Sequence, residues 1–444
     1  MARVFPFRGL RYNPSKVKLA EVVTQPYDKI SPEMQDRYYA ASPHNLVRVI
    51  LGRPQAGDGK SENVYTRAAA CVQQWRAQGI LTLETEPSIY SYTQTFQIPG
   101  DPSGALVERR GFIGLGQVED YEQKVVFRHE QTLSKPKADR LNLLRATETH
   151  FGQIFMLYSD PGLEIDGALN QSGPPTTEVC DEYGVLHRLW QVSGSAVIEQ
   201  VQAKMADKKL IIADGHHRYE TALSYRDEIR KARGGTYGGH ERVMMTFVNM
   251  DTPGLVVLPT HRVVFGLEDF SIFGMVAKLQ LNFEVEDLGP LSETEGTLER
   301  LCRAGTEGTA FVAVTSHGGF LLRSRPRIQW DGGVGLSEQQ RALDVVRLHK
   351  LVLESVLGLS EEDIRDQKHL KYVRDPGEAI NLVPQNANVA FLMNPVRIDQ
   401  VRDVAFSGEV LPQKSTDFYP KLLSGLVAYA LQEAPQPAEV GGRA

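Results

Sequence analysis

Cysteine is nearly absent: Cys71, Cys180 and Cys302 are the only three in 444 residues, far apart and odd in number. That excludes a disulfide framework, suits a reducing cytoplasm and, with no CxxC pair, excludes a cysteine-based zinc site. Long apolar runs are missing as well. None approaches the roughly 20 residues that a bilayer-spanning helix needs, so no membrane partner is expected. The opening MARVFPFRGLRYNP has no apolar signal core, and a cytoplasmic location is the expectation. A basic excess is lacking too. Lys and Arg number 49 against 55 Asp and Glu, a net charge of −6, so dedicated nucleic-acid binding is not expected. Tandem repeats and long low-complexity segments are absent.

What is there reads as a soluble globular chain, 41% hydrophobic and 23% charged. Its length exceeds one ordinary core, so about two or three domains are expected. The pattern predicts an α+β (mixed α/β) fold, with several mixed sheets and flanking helices. Its expected organisation is an N-terminal α/β domain over 1–245, a small α+β subdomain over 246–335, a C-terminal α/β segment over 336–432 and a disordered tail over 433–444. Residues 65–81 have helical spacing and stop at Gly79, while 88–98 and 109–118 alternate as the two strands of a hairpin around PGDPSGA. Residues 134–152 predict a helix entered through a basic loop, and 176–192 a hairpin turning near Asp181–Gly184. Further on, 340–358 predicts a strong helix, 387–395 a buried strand, 398–408 a helix, and the stretch after PQKSTDFYP a last helix.

The most informative stretch is LIIADGHHRYETALSYRDEIRKA, residues 210–232, in which an apolar strand meets Asp214-Gly215-His216-His217-Arg218 and then a helical pattern. A helix start exposes N–H donors and a partial positive charge, which suits phosphate. Gly215 lets a ligand approach the backbone, and His216, His217 and Arg218 add donors for its oxygens. Asp214 could cap the helix, accept a proton from a hydroxyl, or hold Mg²⁺. His216 and Glu220 lie one helical turn apart, but the stretch is not HExxH and no third ligand has recognisable spacing. No zinc is therefore expected. Two basic loops could add to an anion site. One is PQKSTDFYPKL, with Lys414, Ser415, Thr416 and Lys421; it lacks the glycine-rich cradle of a Walker motif. The other is FRHEQTLSKPKADR, in which His129-Glu130 offers an acid/base group and Lys135, Lys137 and Arg140 offer charge. Tyr27-Asp28 in a Pro-flanked turn and His261-Arg262 on a strand are weaker signals of chemistry than of structure.

In order along the chain, RGLRYNPSKV, QPYDKIS, PSIYSYTQTF, HEQTLSKPKADR, IADGHHRYETAL, LPTHRVV and LPQKSTDFYPKLLSGL resemble a bacterial and archaeal family known as domain of unknown function 1015. The DGHHR element also resembles the phosphate-binding strand–helix junction of the ParB-like superfamily. That superfamily includes kinases of free L-serine, proteins that bind CTP as a switch, and sulfiredoxin, which uses ATP. The resemblance implies a ParB-like nucleotide-binding element. It also implies ATP or ADP with Mg²⁺ as cofactors, and a small hydroxyl metabolite, free L-serine foremost, as acceptor. Carried over by position, it puts Asp214, His216, His217 and Arg218 in the site, with Asp214 and His217 catalytic and Glu130 as the completing glutamate. A non-catalytic nucleotide-binding switch and a metal-dependent hydrolase remain open alternatives.

Overall fold

A computed structural model describes residues 2–101, 103–130, 134–234, 238–291, 294–330 and 335–433. The side chains of 134–136 lie outside that description, as does the expected tail from 434 onward. The fold is mixed α+β. The chain forms two compact units, one from residues 1–128, 132–256 and 420–444, the other from 129–131 and 257–419. Among the described residues, no helix is long and apolar enough to cross a membrane.

The first unit is built on a nine-stranded mixed sheet. Its main path runs Val126–Phe127, Leu210–Asp214, Ile154–Tyr158, Arg242–Asn249, Leu106–Gln117, Ile89–Gln97, Leu186–Val192 and Thr177–Cys180, with Val4–Phe5 beside Leu106–Gln117. The expected hairpins form four of its nine strands, Ile89–Gln97 with Leu106–Gln117 and Thr177–Cys180 with Leu186–Val192. Leu210–Asp214 is second from one edge of the sheet, parallel to Val126–Phe127 and antiparallel to Ile154–Tyr158, and is buried from Leu210 to Ala213. That position explains its unbroken apolar run, because a strand covered on both faces needs no polar alternation. The helix after it, His216–Ala232, buries Tyr219, Ala222 and Arg226, a stripe at helical spacing. Tyr219 and Ala222 join Phe112, Met156, Tyr158, Ile212 and Phe247 in the main core, where the Phe112 and Phe247 rings stack at 4.9 Å. Each such fully buried side chain contributes roughly 1.5–3 kcal/mol. The cost of burying Arg226 is offset by its bond to the Val118 carbonyl and its pairs with Asp120 and Asp227. A second cluster joins Trp75 and Val72 of the helix Val64–Ala77 to Leu143 of Ser134–Thr147 and to Tyr12, Leu46 and Ile50. Asn63 closes the first turn of Val64–Ala77 with a capping box.

The second unit holds a six-stranded, wholly antiparallel sheet ordered Phe283–Gly289, Gly318–Ser324, Ala310–Thr315, Ala387–Met393, His261–Phe265 and Leu370–Val373. The helix Thr294–Glu307 turns Thr297, Leu301 and Ala304 inward; Leu301 and Ala304 pack against Val312, Leu321 and Leu392.

Two sequence expectations are corrected here. The single helix over 340–358 is broken into Glu338–Arg341 and Asp344–Arg347, followed by a π-helical stretch, Leu348–Glu354. The last helix is absent; residues 417–433 carry only Asp417–Tyr419, Tyr429–Ala430 and a short 3₁₀ turn. Residues 422–430 are buried throughout, and Gly425 sits at φ +102, outside the helical region. Their backbone instead pairs with other segments: Ser424 exchanges hydrogen bonds with Thr24, and Ala428 with Leu10. Long-range pairing overrode local helix propensity.

Candidate functional site

The strand Leu210–Asp214 hands over to the helix through Gly215, which has φ +93. An L-side chain is strained there, and a Cβ would come within 3.0 Å of the Arg218 guanidinium nitrogens. Gly215 is the N-cap residue, and no side chain caps the helix. The capping role considered for Asp214 is therefore corrected: its carboxylate turns to cations. Oδ2 accepts a 2.8 Å hydrogen bond from Arg218 Nη2, and Oδ1 lies 3.8 Å from Lys421 Nζ. The Asp214–Arg218 pair is the i, i+4 spacing of a helix surface, here bent around its first turn. Burial pushes the Asp214 carboxyl up, but Lys421, Arg218, Lys29 and His216 outweigh it and hold it below the ordinary carboxylate range.

Arg218 and the backbone of Lys421 are themselves held. Arg218 donates through Nη1 to the Gln153 carbonyl. The Lys421 carbonyl accepts 2.9 Å from Gln94 Nε2, and the neighbouring Pro420 carbonyl accepts 2.5 Å from Arg109 Nη2. Arg109 is fully buried over the Phe155 ring, also donates to Gln94, and has its guanidinium pulled down to about 10 by burial. A buried arginine thus fixes the segment that carries Lys421. His216 is buried and His217 half-buried at the start of the helix, and Thr221 donates to the His217 carbonyl.

Beside the junction, a small open cleft is lined by Arg218, Tyr27, Arg140, Leu143, Phe151 and Ser424, among others. The Arg140 guanidinium lies 4.0 Å from the centre of the Tyr27 ring, and its Nη1 donates to the Ile50 carbonyl at 2.7 Å. Lys137 stands 3.8 Å from Glu220, which is one helical turn beyond His216. The Lys135 side chain lies outside the described residues.

The structure therefore gathers Asp214, Gly215, His216, His217, Arg218, Arg140 and Lys421 in the first unit. Glu130, Lys414, Ser415 and Thr416 belong to the second unit and form a cluster of their own. Glu130 Oε1 accepts from the Lys414 backbone N–H at 3.0 Å, where Lys414 has φ +57. Thr416 Oγ1 is 2.8 Å from Nε2 of the buried His129, Ser415 donates to the Pro412 carbonyl, and Arg262 donates to the Lys414 carbonyl at 3.1 Å. Sequence reasoning undervalued the 3₁₀ turn Tyr27–Lys29, whose lysine acts on Asp214, and missed Arg109 and Gln94. The Pro-flanked YDK was a visible signal; an arginine within a strand was not.

The Asp214 geometry has a consequence for acid stability. A carboxyl held low in the folded state adds stability above its unfolded value of 3.8, and that stability is lost as pH falls below it. Asp214→Asn is expected to lower stability at pH 7 by on the order of 1–3 kcal/mol, less than a fully buried pair because the side chain is partly exposed. Thermal melts of both proteins should show the gap closing below pH 3.8. A gap that persists unchanged at pH 3 would remove the ion pair as its cause.

A family described as Protein of unknown function (DUF1015) matches residues 4–346. The chain belongs to this family. No protein of curated function matches it. Among solved structures, this DUF1015 chain is similar to a free serine kinase in complex with AMP. The two are 16% identical, and the match covers 66% of this chain and 83% of the kinase at a TM-score of 0.32. A conserved hypothetical protein from Pyrococcus furiosus is 14% identical, with coverage of 66% and 87% and a TM-score of 0.31. SbnI with a C-terminal truncation, from Staphylococcus aureus, is 13% identical, with coverage of 71% and 86% and a TM-score of 0.33. Among the described residues no group of three His, Cys, Asp or Glu side chains could hold a metal ion.

Proposed function

We propose that the Asp214–Arg218 junction binds the phosphates of ATP or ADP, and that the chain transfers a phosphoryl group to a small hydroxyl metabolite, free L-serine being the first to test. The observation that carries this reading is the convergence of Arg218, Lys421 and Lys29 on one carboxylate at a helix start that no side chain caps. Such a site offers N–H donors, a helix dipole and cations in excess of the single Asp214 charge. The cleft beside it, with the Tyr27–Arg140 pair on its wall, has a flat aromatic–guanidinium face suited to a base or ribose.

In this reading Lys421, whose Nζ lies 3.8 Å from Asp214, turns to a phosphate oxygen. Arg218 stays anchored on Asp214 and Gln153. The acceptor oxygen forms a P–O bond to the terminal phosphorus as the P–O bond to the leaving nucleotide breaks, and the hydroxyl proton passes to a basic side chain. Asp214, held ionised, is a poor base but a good anchor for that hydroxyl, and phosphoryl transfer depends more on position and charge than on basicity. With Arg218 on Oδ2, Asp214 has only Oδ1 to offer a hydroxyl or a Mg²⁺ ion once Lys421 has moved.

The low Asp214 carboxyl also favours the second reading, nucleotide binding without turnover, as in a switch. Incubation with Mg-ATP or Mg-ADP and a panel of hydroxy compounds, followed by mass spectrometry, separates the two. A phosphorylated small product supports the kinase; tight nucleotide binding with every acceptor unchanged supports the switch.

Glu130, the completing glutamate that the resemblance implies, has its own test. Glu130→Gln keeps an oxygen that can accept from the Lys414 N–H, so the melting temperature should hold. A catalytic carboxylate would show as a loss of roughly 10²–10⁴ in turnover. Unchanged turnover would leave Glu130 as a support of the Lys414 loop alone.

A further inference from the structure

An unassigned cleft lies wholly within the second unit, running from the π-helical stretch Leu348–Glu354 to Leu411, Pro412 and Gln413. Stretches of π-helix are rare, and they occur frequently at functional sites. His349, on that stretch, is 6% exposed and lines the cleft, yet its Nε2 has no hydrogen-bond partner among the described residues. A buried polar atom left so costs free energy unless something else satisfies the group. Burial holds the His349 ring well below its ordinary pKa, so it stays neutral and brings no charge of its own.

Among the lining side chains, Lys350 and Arg365 supply two cations, Glu354 and Glu361 two carboxylates. Arg365 also pairs outside the cleft lining, with Asp366 at 3.1 Å and Glu362 at 3.8 Å. Lys350 bridges both glutamates, at 2.9 Å and 3.7 Å. A net anion such as a nucleotide would meet as much repulsion as attraction here, and so would a net cation. A molecule that carries both signs a few ångströms apart can satisfy both. The remaining wall mixes polar Gln340, Gln413 and His349 with apolar Leu336, Val346, Ile364, Val410 and Leu411, and its apolar part can take a hydrocarbon body.

We propose that this cleft is a binding site for a free zwitterionic α-amino acid with an apolar side chain. The carboxylate faces Lys350 and Arg365, the ammonium faces Glu354 and Glu361, and the side chain lies on Ile364 and Leu411. The site is independent of the phosphate-binding junction and does not rest on the proposed phosphotransferase activity.

The test is calorimetric titration of the full chain with L-leucine, glycine, leucinamide and 4-methylpentanoate. L-Leucine should bind. Leucinamide, which lacks the carboxylate, and 4-methylpentanoate, which lacks the ammonium, should each bind at least tenfold more weakly, as should glycine, which lacks the apolar body. Arg365→Ala, on the exposed rim, should weaken L-leucine roughly tenfold with an unchanged melting temperature, and Ile364→Trp should block the cleft. Absence of any heat with L-leucine overturns the proposal. So does equal binding of L-leucine and either single-charge analogue, or L-leucine binding that survives both substitutions intact.

Discussion

Lys421→Ala is expected to weaken ADP and ATP binding by roughly 10- to 100-fold, the loss that follows when one charge-assisted contact worth about 1.5–3 kcal/mol is removed. The lysine is the largest electrostatic influence on Asp214 after burial itself, and its side chain is only 9% exposed. Its backbone is fixed independently, through Gln94 on its own carbonyl and Arg109 on that of Pro420, so truncation should leave the segment in place. Stability should fall modestly, because Asp214 keeps its Arg218 partner. Calorimetry with ADP and a thermal melt on the same variant check both halves. Unchanged ADP affinity with an unchanged melt would take Lys421 out of the site.

Gly215→Ala is expected to cost stability and nucleotide affinity together. The φ of +93 alone strains any residue with a Cβ, by roughly 1–2 kcal/mol. The new methyl would also meet Nε and Nη2 of Arg218 at 3.0 Å. The guanidinium is tied to Asp214 and to the Gln153 carbonyl, so it cannot yield without breaking one of those bonds. Combining Gly215→Ala with Arg218→Ala should therefore cost less than the sum of the two, since the clash is removed with the side chain. Strict additivity in melting free energies would show that the glycine is needed for its backbone conformation and not for room beside Arg218.

Legibility in the sequence followed the range of the interactions. The hairpin at 88–118 and the helix near 65–81 were readable because alternation, helical spacing and turn residues are local. The strand–glycine–helix junction was readable for the same reason, and Asp214 with Arg218 even stood at i, i+4. What Asp214 does was not readable, because Lys421 and Lys29 come from distant parts of the chain. The final segment misled for the opposite cause. Its leucines look helical, but residues 422–430 are buried on every side and spend their backbone bonds on Thr24, Leu10 and His150. Arg109 was invisible within a β-pattern, since only the folded sheet shows that its guanidinium meets Gln94 and Pro420.

The central claim is that the junction reads phosphate. Titration of the intact chain with ADP, AMP and adenosine at one ionic strength tests it most directly. Affinity should fall in the order ADP, AMP, adenosine, and the preference for ADP over adenosine should shrink in Lys421→Ala. Adenosine binding as tightly as ADP, or no binding of any of the three, would contradict it.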